Sequence, residues 1–585
     1  MKHQIERLVL ASLQQLRDGL LENAELPASV MVERTRDPRH GDLACNVAMT
    51  LAKPARRNPR EIAQAIVDHL PANQLITSTE IAGPGFINFR LAPQAFHAAL
   101  LQTLERGADY GHSDIGKDEK VLVEFVSANP TGPLHVGHGR HAAYGATLSN
   151  LLEATGHTVE REYYVNDAGR QMNILGVSVW LRYLEALGEK IVFPANAYRG
   201  SYINDIAAAL VRNDDNALQR DAASVMSGLP ADAPAGDKET HIDALIDRAR
   251  ELLGATEFRA VVDFALTGIL EDIREDLGEF GVEFDTWYSE RGLAEGGAIA
   301  RALAKLEAHD KLYQRDGATW FRATDYGDEK DRVVVRENGQ TTYFASDIAY
   351  HLEKRERGFG LLLDVLGSDH HGYVTRVRSG LEAMGEPGDS LEVKLVQFVT
   401  LYRGGKKMQM STRSGEFISL RQLRDEVGND ACRFFYVMRS QDQHLDFDLE
   451  LAKSRSADNP VYYIQYAHAR VESVMRQLQD KSLQFDAQRG RASLDSLVES
   501  HERALLTSLG RYPEVIEQAA TARAPHTLVH YLRDLANEFH TYYNAHTFLV
   551  EDDALRDARL SLILGVQQVI RNGLGLLGVS APEHM

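Results

Sequence analysis

The chain has 585 residues, 44% apolar and 25% charged, which is too long for one hydrophobic core and ordinary for a folded multidomain protein. Its two cysteines, Cys45 and Cys432, exclude a disulfide framework and a cysteine-rich zinc centre, and they suit a reducing cytoplasm. A net charge of −20 excludes a surface that binds polyanions everywhere.

In chain order, the first 27 residues read as an amphipathic helix with charges throughout, which excludes a secretory signal. Residues 1–115 form a small α/β unit, with "EIAQAIVDHL" helical by its spacing and "STEIAGPGFINFRL" two short strands around a Gly-Pro-Gly turn. Residues 116–180 read strand, glycine-rich loop, helix, strand, the start of a parallel sheet. Residues 181–335 are charged and mostly helical, an insertion. Residues 336–454 resume the α/β pattern, with "LLLDVLG" and "LEVKLVQFVTLY" as strands. Residues 455–585 are helical with apolar residues at spacings of three and four, an all-α bundle. The expected fold is α/β, a Rossmann-type parallel sheet split by a helical insertion, flanked by the N-terminal unit and the C-terminal bundle. No run is long enough to cross a bilayer.

The charge is uneven. Residues 1–120 hold 14 basic against 15 acidic side chains, residues 460–585 hold 12 against 15, and the middle carries about −16. Within residues 34–60 seven basic residues, among them Arg34, Arg36, Arg56 and Arg57, face only Asp37 and Asp42. That cluster is either a solvated face or a local contact for phosphates.

The stretch "SANPTGPLHVGHGR", from Ser127 to Arg140, follows a strand and precedes a helix. Pro130 and Pro133 keep the loop out of helix, and Gly132, Gly137 and Gly139 let backbone approach a neighbour closely. A helix N-terminus at the carboxyl end of a parallel strand is a site for phosphates. His135 and His138 add donors that can stabilise charge developing on a phosphoryl group; alternatively they only cap the helix.

This stretch resembles the His-Ile-Gly-His signature of class I aminoacyl-tRNA synthetases, in the long form typical of arginyl-tRNA synthetases. "YYVNDAGRQ", "FDTWYSE", "SDIAYHLEKRERGF", "GSDHHGY", "MSTRSGEFISL", "DACRFFYVMRS" and "NPVYYIQYAHAR" agree in order and spacing, so the resemblance covers essentially the whole chain. It implies an arginine-specific ligase that makes arginyl-adenylate from ATP and L-arginine and passes the arginyl group to the terminal adenosine 2′-OH of tRNA(Arg). By resemblance, Glu124, Tyr343, Asp347 and His371 hold the arginine side chain, while Ser127, Asn129 and His138 orient its α-groups. Pro130, Thr131, Gly132, His135, Gly137, His138 and Met410 meet ATP, which enters with Mg2+. Carboxylates suit the first task because two oxygens accept parallel bonds from a planar guanidinium.

The second class I signature, usually Lys-Met-Ser-Lys-Ser, is here "QMSTR", residues 409–413, with Thr412 in place of the second lysine. Ser411 and Arg413 are its catalytic candidates, Lys406 and Lys407 are further cations for pyrophosphate, and glycines at 404, 405 and 415 suggest a loop that closes over ATP. The resemblance also implies that the basic N-terminal unit meets the tRNA elbow and the C-terminal bundle reads the anticodon, where Tyr462 and Tyr466 can stack on bases, although most aromatics at helical spacing are core. No zinc and no membrane contact are expected, and the expected form is a cytoplasmic monomer. Two rival readings are a small-molecule nucleotidyltransferase sharing the His-x-Gly-His loop and a non-catalytic RNA-binding paralogue. The helical domain argues against the first, and intact His135, His138, Tyr343 and Asp347 against the second.

Overall fold

A computed structural model describes residues 1–585 except 36, 215, 369–371 and 409–417. Its centre is a five-stranded parallel sheet. The strands, in chain order, are Lys120–Glu124, Thr158–Val165, Thr286–Ser289, Leu361–Gly367 and Leu391–Val396. Across the sheet the order is fifth, fourth, first, second, third, all parallel. Read from the other edge this is 3-2-1-4-5, the doubly wound Rossmann order, whose direction reverses between the first and fourth strands.

The strands alternate between two cores, as a period of two requires. Val121, Val123, Leu363 and Val365 pack with the helix Val136–Ala154 on one face. Leu122 and Leu362 pack with the helices Tyr343–Glu356 and Tyr373–Ala383 on the other. Both faces are covered, and the two central strands accordingly carry the apolar runs Val121–Val123 and Leu361–Leu363.

Four expectations need correction. The segment 181–335 is not only helical: its Thr286–Ser289 is the third strand of the central sheet, and Leu312–Arg315, Ala318–Phe321 and Arg332–Val335 form an antiparallel sheet. Four-residue strands leave too little alternation to be seen against long helices. Residues 391–403 are two strands, broken after Val396, and the second joins Lys406–Lys407 and Leu445–Asp448 in a separate sheet. Tyr343 and Asp347, at i and i+4 in "TTYFASD", are expected at a strand end; they lie instead in the first turns of the helix Tyr343–Glu356, where Thr342 accepts the Ala345 N–H at 3.3 Å as its cap. Finally, the helix Pro93–Arg106 leaves the N-terminal unit. That unit's core ends at Ala95, whereas Leu100 belongs to the main core, and a Cβ on Gly565 of the C-terminal helix would lie 2.4 Å from its side chain.

The N-terminal unit is a four-stranded antiparallel sheet with helices on it. The C-terminal bundle runs from the helix Pro460–Asp480 to the helix Asp553–Leu576. Among the described residues no helix is long and apolar enough to cross a membrane.

Candidate active site

The first strand ends at Glu124, and the chain turns back through Val126 at φ 66° and Ser127 at φ 38°. Two consecutive side-chain-bearing residues in the left-handed region cost about 1–3 kcal/mol each, and such strain concentrates at functional sites. The turn brings Ser127 Oγ to donate to Glu124 Oε1 at 3.0 Å and to accept the Tyr164 N–H at 3.1 Å. Tyr163 Oη donates to the Ala128 carbonyl at 2.9 Å and Tyr202 Oη to that of Thr131 at 2.7 Å.

The loop then enters the helix Val136–Ala154 through its histidines. His135 is the N-cap, and its Nδ1 accepts the N–H groups of Gly137 at 3.1 Å and His138 at 3.3 Å. In return His138 Nδ1 accepts the His135 N–H at 3.2 Å, and the rings stack with centroids 3.6 Å apart. This is a capping box made by two imidazoles. The capping and catalytic roles are therefore compatible. Each Nδ1 accepts, so each neutral ring carries its proton on Nε2. Burial pushes the His135 pKa below its ordinary value and that of His138 well below. At neutral pH the two rings are uncharged N–H donors rather than cations.

The glycines serve the protein's own packing as much as a ligand. A Cβ on Gly139 would lie 2.6 Å from Leu420 and 2.8 Å from the Tyr436 hydroxyl; one on Gly132 would lie 2.8 Å from the Tyr202 hydroxyl.

Under the loop, register creates an electrostatic problem. Glu124 pairs directly with Asp364 on one neighbouring strand and with Glu162 on the other. Three carboxylates thus form a row across the sheet, all buried. Their parity with Leu122 and Leu362 turns them toward the helix Tyr343–Glu356. That helix answers with Asp347, Tyr350, His351 and Lys354, which share one face at i, i+3, i+4 and i+7. The fully buried Lys354 reaches Glu124 Oε2 at 2.6 Å and Asp364 Oδ1 at 3.0 Å. Tyr350 Oη donates to Glu162 Oε1 at 2.6 Å, and Arg357 bonds the same carboxylate at 2.5 Å. His351 has acceptors on both sides, the Asp347 carbonyl at 2.8 Å and Asp364 Oδ2 at 2.7 Å. Burial opposes ionisation of Asp364, yet Lys354 and His351 hold its pKa well below the ordinary carboxylate range.

Asp347 differs. Burial pushes its carboxyl up to about 6; His351 opposes the shift, and Glu290 and Glu124 add to it. Among the described residues, His351 is the one basic influence on its pKa and does not offset the burial.

Glu124, Ser127, Asn129, Asp347, His135, Gly137 and His138 line one cavity of about 720 Å³ at the switch point of the sheet. Tyr164, His141, Tyr373 and Phe398 line it too, and the sequence alone did not single them out. Pro130, Thr131 and Gly132 do not line it; their loop packs on Tyr202. Tyr343 does not line it either. It stands 71% exposed, with its hydroxyl 3.8 Å from the Cβ position of Gly169. His371, Met410, Ser411 and Arg413 lie outside the described residues, as do Asp369, His370 and Thr412.

The segment following the second signature is fixed beside the first. The Val136 N–H donates to the Ile418 carbonyl at 3.3 Å, the Leu420 N–H to that of Leu134 at 2.8 Å, and His135 bridges Ser419. Lys406 and Lys407, on the other side of that signature, are exposed. Among the described residues no group of three or more His, Cys, Asp or Glu could hold a metal ion.

Of the basic N-terminal cluster, Arg56 and Arg57 are exposed around the left-handed end of the helix Val47–Ala55. Arg34 is not presented to solvent: it is mostly covered and pairs with Glu514 of the C-terminal bundle at 3.4 Å. Lys2 reaches the same Glu514 at 3.7 Å. Arg36 lies outside the described residues. In the bundle, Tyr462 and Tyr466 are half-buried, with ring centroids 6.1 Å apart, and the Arg470 guanidinium covers Tyr466 at 4.4 Å. Tyr542 is core, donating to Glu502 at 2.8 Å.

A 3-2-1-4-5 parallel sheet, a histidine-capped helix facing a cavity at its switch point and a C-terminal helical bundle define a class I aminoacyl-tRNA synthetase. Residues 99–192 and 269–468 match the family described as tRNA synthetases class I (R), catalytic domain. Residues 3–91 match the arginyl tRNA synthetase N terminal domain, and residues 464–585 the DALR anticodon binding domain. The chain is 61% identical to a protein of Thioalkalivibrio sulfidiphilus named arginine–tRNA ligase, over 100% of both chains. It is 56% identical to one of the same name from Halorhodospira halophila, over 99% of this chain and 100% of the relative. The solved arginyl-tRNA synthetase of Thermus thermophilus shares the fold, with a TM-score of 0.75 at 24% identity over 100% of both chains. The chain belongs to the arginyl-tRNA synthetase family and is an aminoacyl-tRNA ligase by that membership.

Proposed function

We propose that this chain activates L-arginine with ATP to arginyl-adenylate, releasing diphosphate. It then passes the arginyl group to the 2′-OH of the terminal adenosine of tRNA(Arg), releasing AMP. The observation that carries this reading is Asp347, a buried carboxyl with a pKa of about 6 on the cavity wall beside Glu124. Lys354 is engaged by Glu124 and Asp364. The guanidinium of the substrate is the cation that completes the charge balance, and a planar fork suits a carboxylate better than an ammonium does.

The remaining roles extend this reading. Ser127 and Asn129, at the strained turn, orient the α-amino and α-carboxylate groups. ATP enters with Mg2+ over the start of the helix Val136–Ala154, whose N–H groups and partial positive charge favour phosphate. Nε2–H of His135 and of His138 stabilises charge on the α-phosphate as the bond to diphosphate breaks. Lys406, Lys407 and Arg413 are the cations for the diphosphate itself. Arg56 and Arg57 meet tRNA phosphates, and Tyr462 and Tyr466 meet anticodon bases. The enzyme acts as a cytoplasmic monomer. The test is charging of tRNA(Arg) with arginine, with lysine and citrulline as controls. Equal charging by lysine would overturn the assignment of the carboxylates.

A further inference from the structure

Arg140 stands two residues beyond His138 on the helix Val136–Ala154 and is 1% exposed. Among the described residues no carboxylate pairs with its guanidinium. Three backbone carbonyls hold it instead: Nη1 donates to those of Gln397 at 2.7 Å and Gln443 at 2.8 Å, and Nη2 to that of Ser440 at 2.9 Å. Nε is buried without a partner. Burial lowers its pKa to about 10, against Tyr436 and Asp442, so the group is charged at neutral pH. A buried cation held only by dipoles is a costly way to fill the space. What it supplies is geometry, a planar fork that reaches two chain segments at once.

Both segments bear on one wall of the main cavity. Gln397 and Phe398 are the two-residue crossing between the fifth strand of the central sheet, Leu391–Val396, and the strand Val399–Arg403 of the separate sheet. Residues 440–443 lead into Leu445–Asp448, which pairs with Val399–Arg403. The Gln397 N–H donates to the Gln441 carbonyl at 2.8 Å and the Leu445 N–H to the Phe398 carbonyl at 3.1 Å, so the backbone of the crossing is held from the far side as well. Its Phe398 ring is left 65% exposed on the cavity wall. The fifth strand lies two strands from the first, so this wall is not the one that carries Glu124. Val399–Arg403 continues through Gly404 and Gly405 to Lys406 and Lys407. An exposed aromatic ring on a cavity wall offers its face to a purine.

We infer that Arg140 is a positioning residue for adenylate formation: its fork sets the 397–398 crossing, and with it Phe398, at the spacing from the histidine loop that ATP spans. His135 and His138 meet the phosphates, Phe398 meets the base, and one helix indexes both. The inference rests on the ATP reading above and adds to it a buried side chain that touches no substrate. Arg433 is the internal comparison. It is also buried, gives its guanidinium to the carbonyls of Leu577 at 2.9 Å, Phe280 at 2.9 Å and Gly281 at 3.1 Å, and has its pKa lowered by burial to about 10. None of those residues lines the main cavity.

The experiment measures kcat and KM for ATP and for arginine in tRNA(Arg) charging by the wild type, R140K, R433K, F398A and R140K/F398A, with melting curves of each. R140K and R433K each trade a fork for a point charge, and both should melt lower than the wild type. Only R140K should lose on the order of 10²-fold in kcat/KM for ATP, the scale of a small misplacement, with KM for arginine nearly unchanged. F398A, at an exposed position that does not endanger folding, should raise KM for ATP several-fold and leave KM for arginine alone. The double variant should lose less than the product of the single effects, because one residue acts through the other. An equal loss for ATP in R433K, a parallel rise of both KM values in R140K, an unchanged KM for ATP in F398A, or independent effects in the double variant would each overturn the inference. The underlying reading fails separately, if the wild type does not charge tRNA with arginine.

Discussion

Lys354 Nζ lies 2.6 Å from Glu124 Oε2 and 3.0 Å from Asp364 Oδ1, with no part of the lysine exposed. The sheet register forces those two carboxylates, and Glu162, to be neighbours. Without the lysine, the floor of the cavity would hold like charges side by side in a low dielectric.

Lys354→Met should therefore destabilise the fold by about 3–5 kcal/mol at pH 7.5, as expected when one partner of a buried ion group is removed. The sign of the pH dependence is specific. In the wild type the Asp364 pKa is depressed, so its contribution is present above the unfolded value and lost as pH falls through the folded one. In the variant the unpaired carboxyls protonate more readily, so the gap between the two proteins should narrow on acidification. Urea unfolding at several pH values measures this, and equal stability at pH 7.5 would remove the lysine from the account.

The histidine loop separates capping from chemistry. His135→Ala and His138→Ala should each lower kcat/KM by on the order of 10²–10³-fold, the effect of losing one preorganised donor. His135→Ala should also cost about 1 kcal/mol of stability, because two N–H groups are left without their acceptor. His135→Asn restores an N-cap acceptor and not the Nε2 donor, so it should recover stability and leave activity low. Burial depresses both imidazole pKa values, so both rings are neutral above pH 6.5 and charge only below it. Their share of stability is present above pH 6.5 and is lost as pH falls through the folded values. The acid limb of kcat/KM should lie below pH 6.5. Full activity in His135→Asn would reduce the ring to a cap.

The basic N-terminal residues divide into two kinds. Arg56→Gln with Arg57→Gln should raise KM for tRNA several-fold and flatten its salt dependence by up to about 0.9 per phosphate released, with KM for arginine and ATP unchanged. Arg34→Gln should instead lower the melting temperature, Glu514→Gln by somewhat more because it also releases Lys2, and the double variant should fall no further than Glu514→Gln, because both remove the ion pair between Arg34 and Glu514. Additive effects would separate the two residues.

These divisions mark what the sequence could and could not disclose. The strand–loop–helix around His135 was legible because glycine, proline and histidine act locally. Glu124 was legible at the end of its strand, whereas Asp347 was singled out only by the family resemblance and lies in a helix that the local pattern had not placed. The partner of Glu124 was not legible. Lys354 looks like one more charge in "HLEKRER", and its burial depends on register across three strands, the last of which, Leu361–Gly367, begins more than 190 residues after the other two. A lysine seven residues after Asp347, on the apolar face of an amphipathic helix, is the one local hint. Arg34 failed for the same reason, since Glu514 is 480 residues away. The third sheet strand, "TWYS", was hidden by its length.

Asp347 ties stability and selectivity together with opposite signs. Its carboxyl is raised to about 6 by burial, with Glu290 and Glu124 adding to the shift, against an ordinary value near 3.8. The folded chain thus binds a proton more tightly than the unfolded chain between those values, and stability falls as pH rises from 3.8 to 6. At neutral pH the ionised carboxylate is a cost of about 1–3 kcal/mol to the unliganded protein. Asp347→Asn removes the charge at nearly constant size, so the unliganded variant should melt higher than the wild type at pH 7.5, and the difference should vanish near pH 4. Arginine binding reverses the sign, because the guanidinium supplies the missing cation. The variant should lose about 3–5 kcal/mol in kcat/KM for arginine, as for a broken buried charge pair. Citrulline, which keeps the shape and loses the charge, should be rejected by the wild type by roughly 10⁴–10⁵ and should suffer much less from the substitution, so discrimination narrows. In the wild type, affinity for arginine should fall as pH drops through about 6, and in Asp347→Asn that dependence should be absent. Melting curves of the unliganded proteins and kcat/KM for tRNA charging by both amino acids measure the two halves. A variant that melts higher yet keeps both its arginine activity and its discrimination would show that Asp347 is strained but does not read the guanidinium, and the role would pass to Glu124.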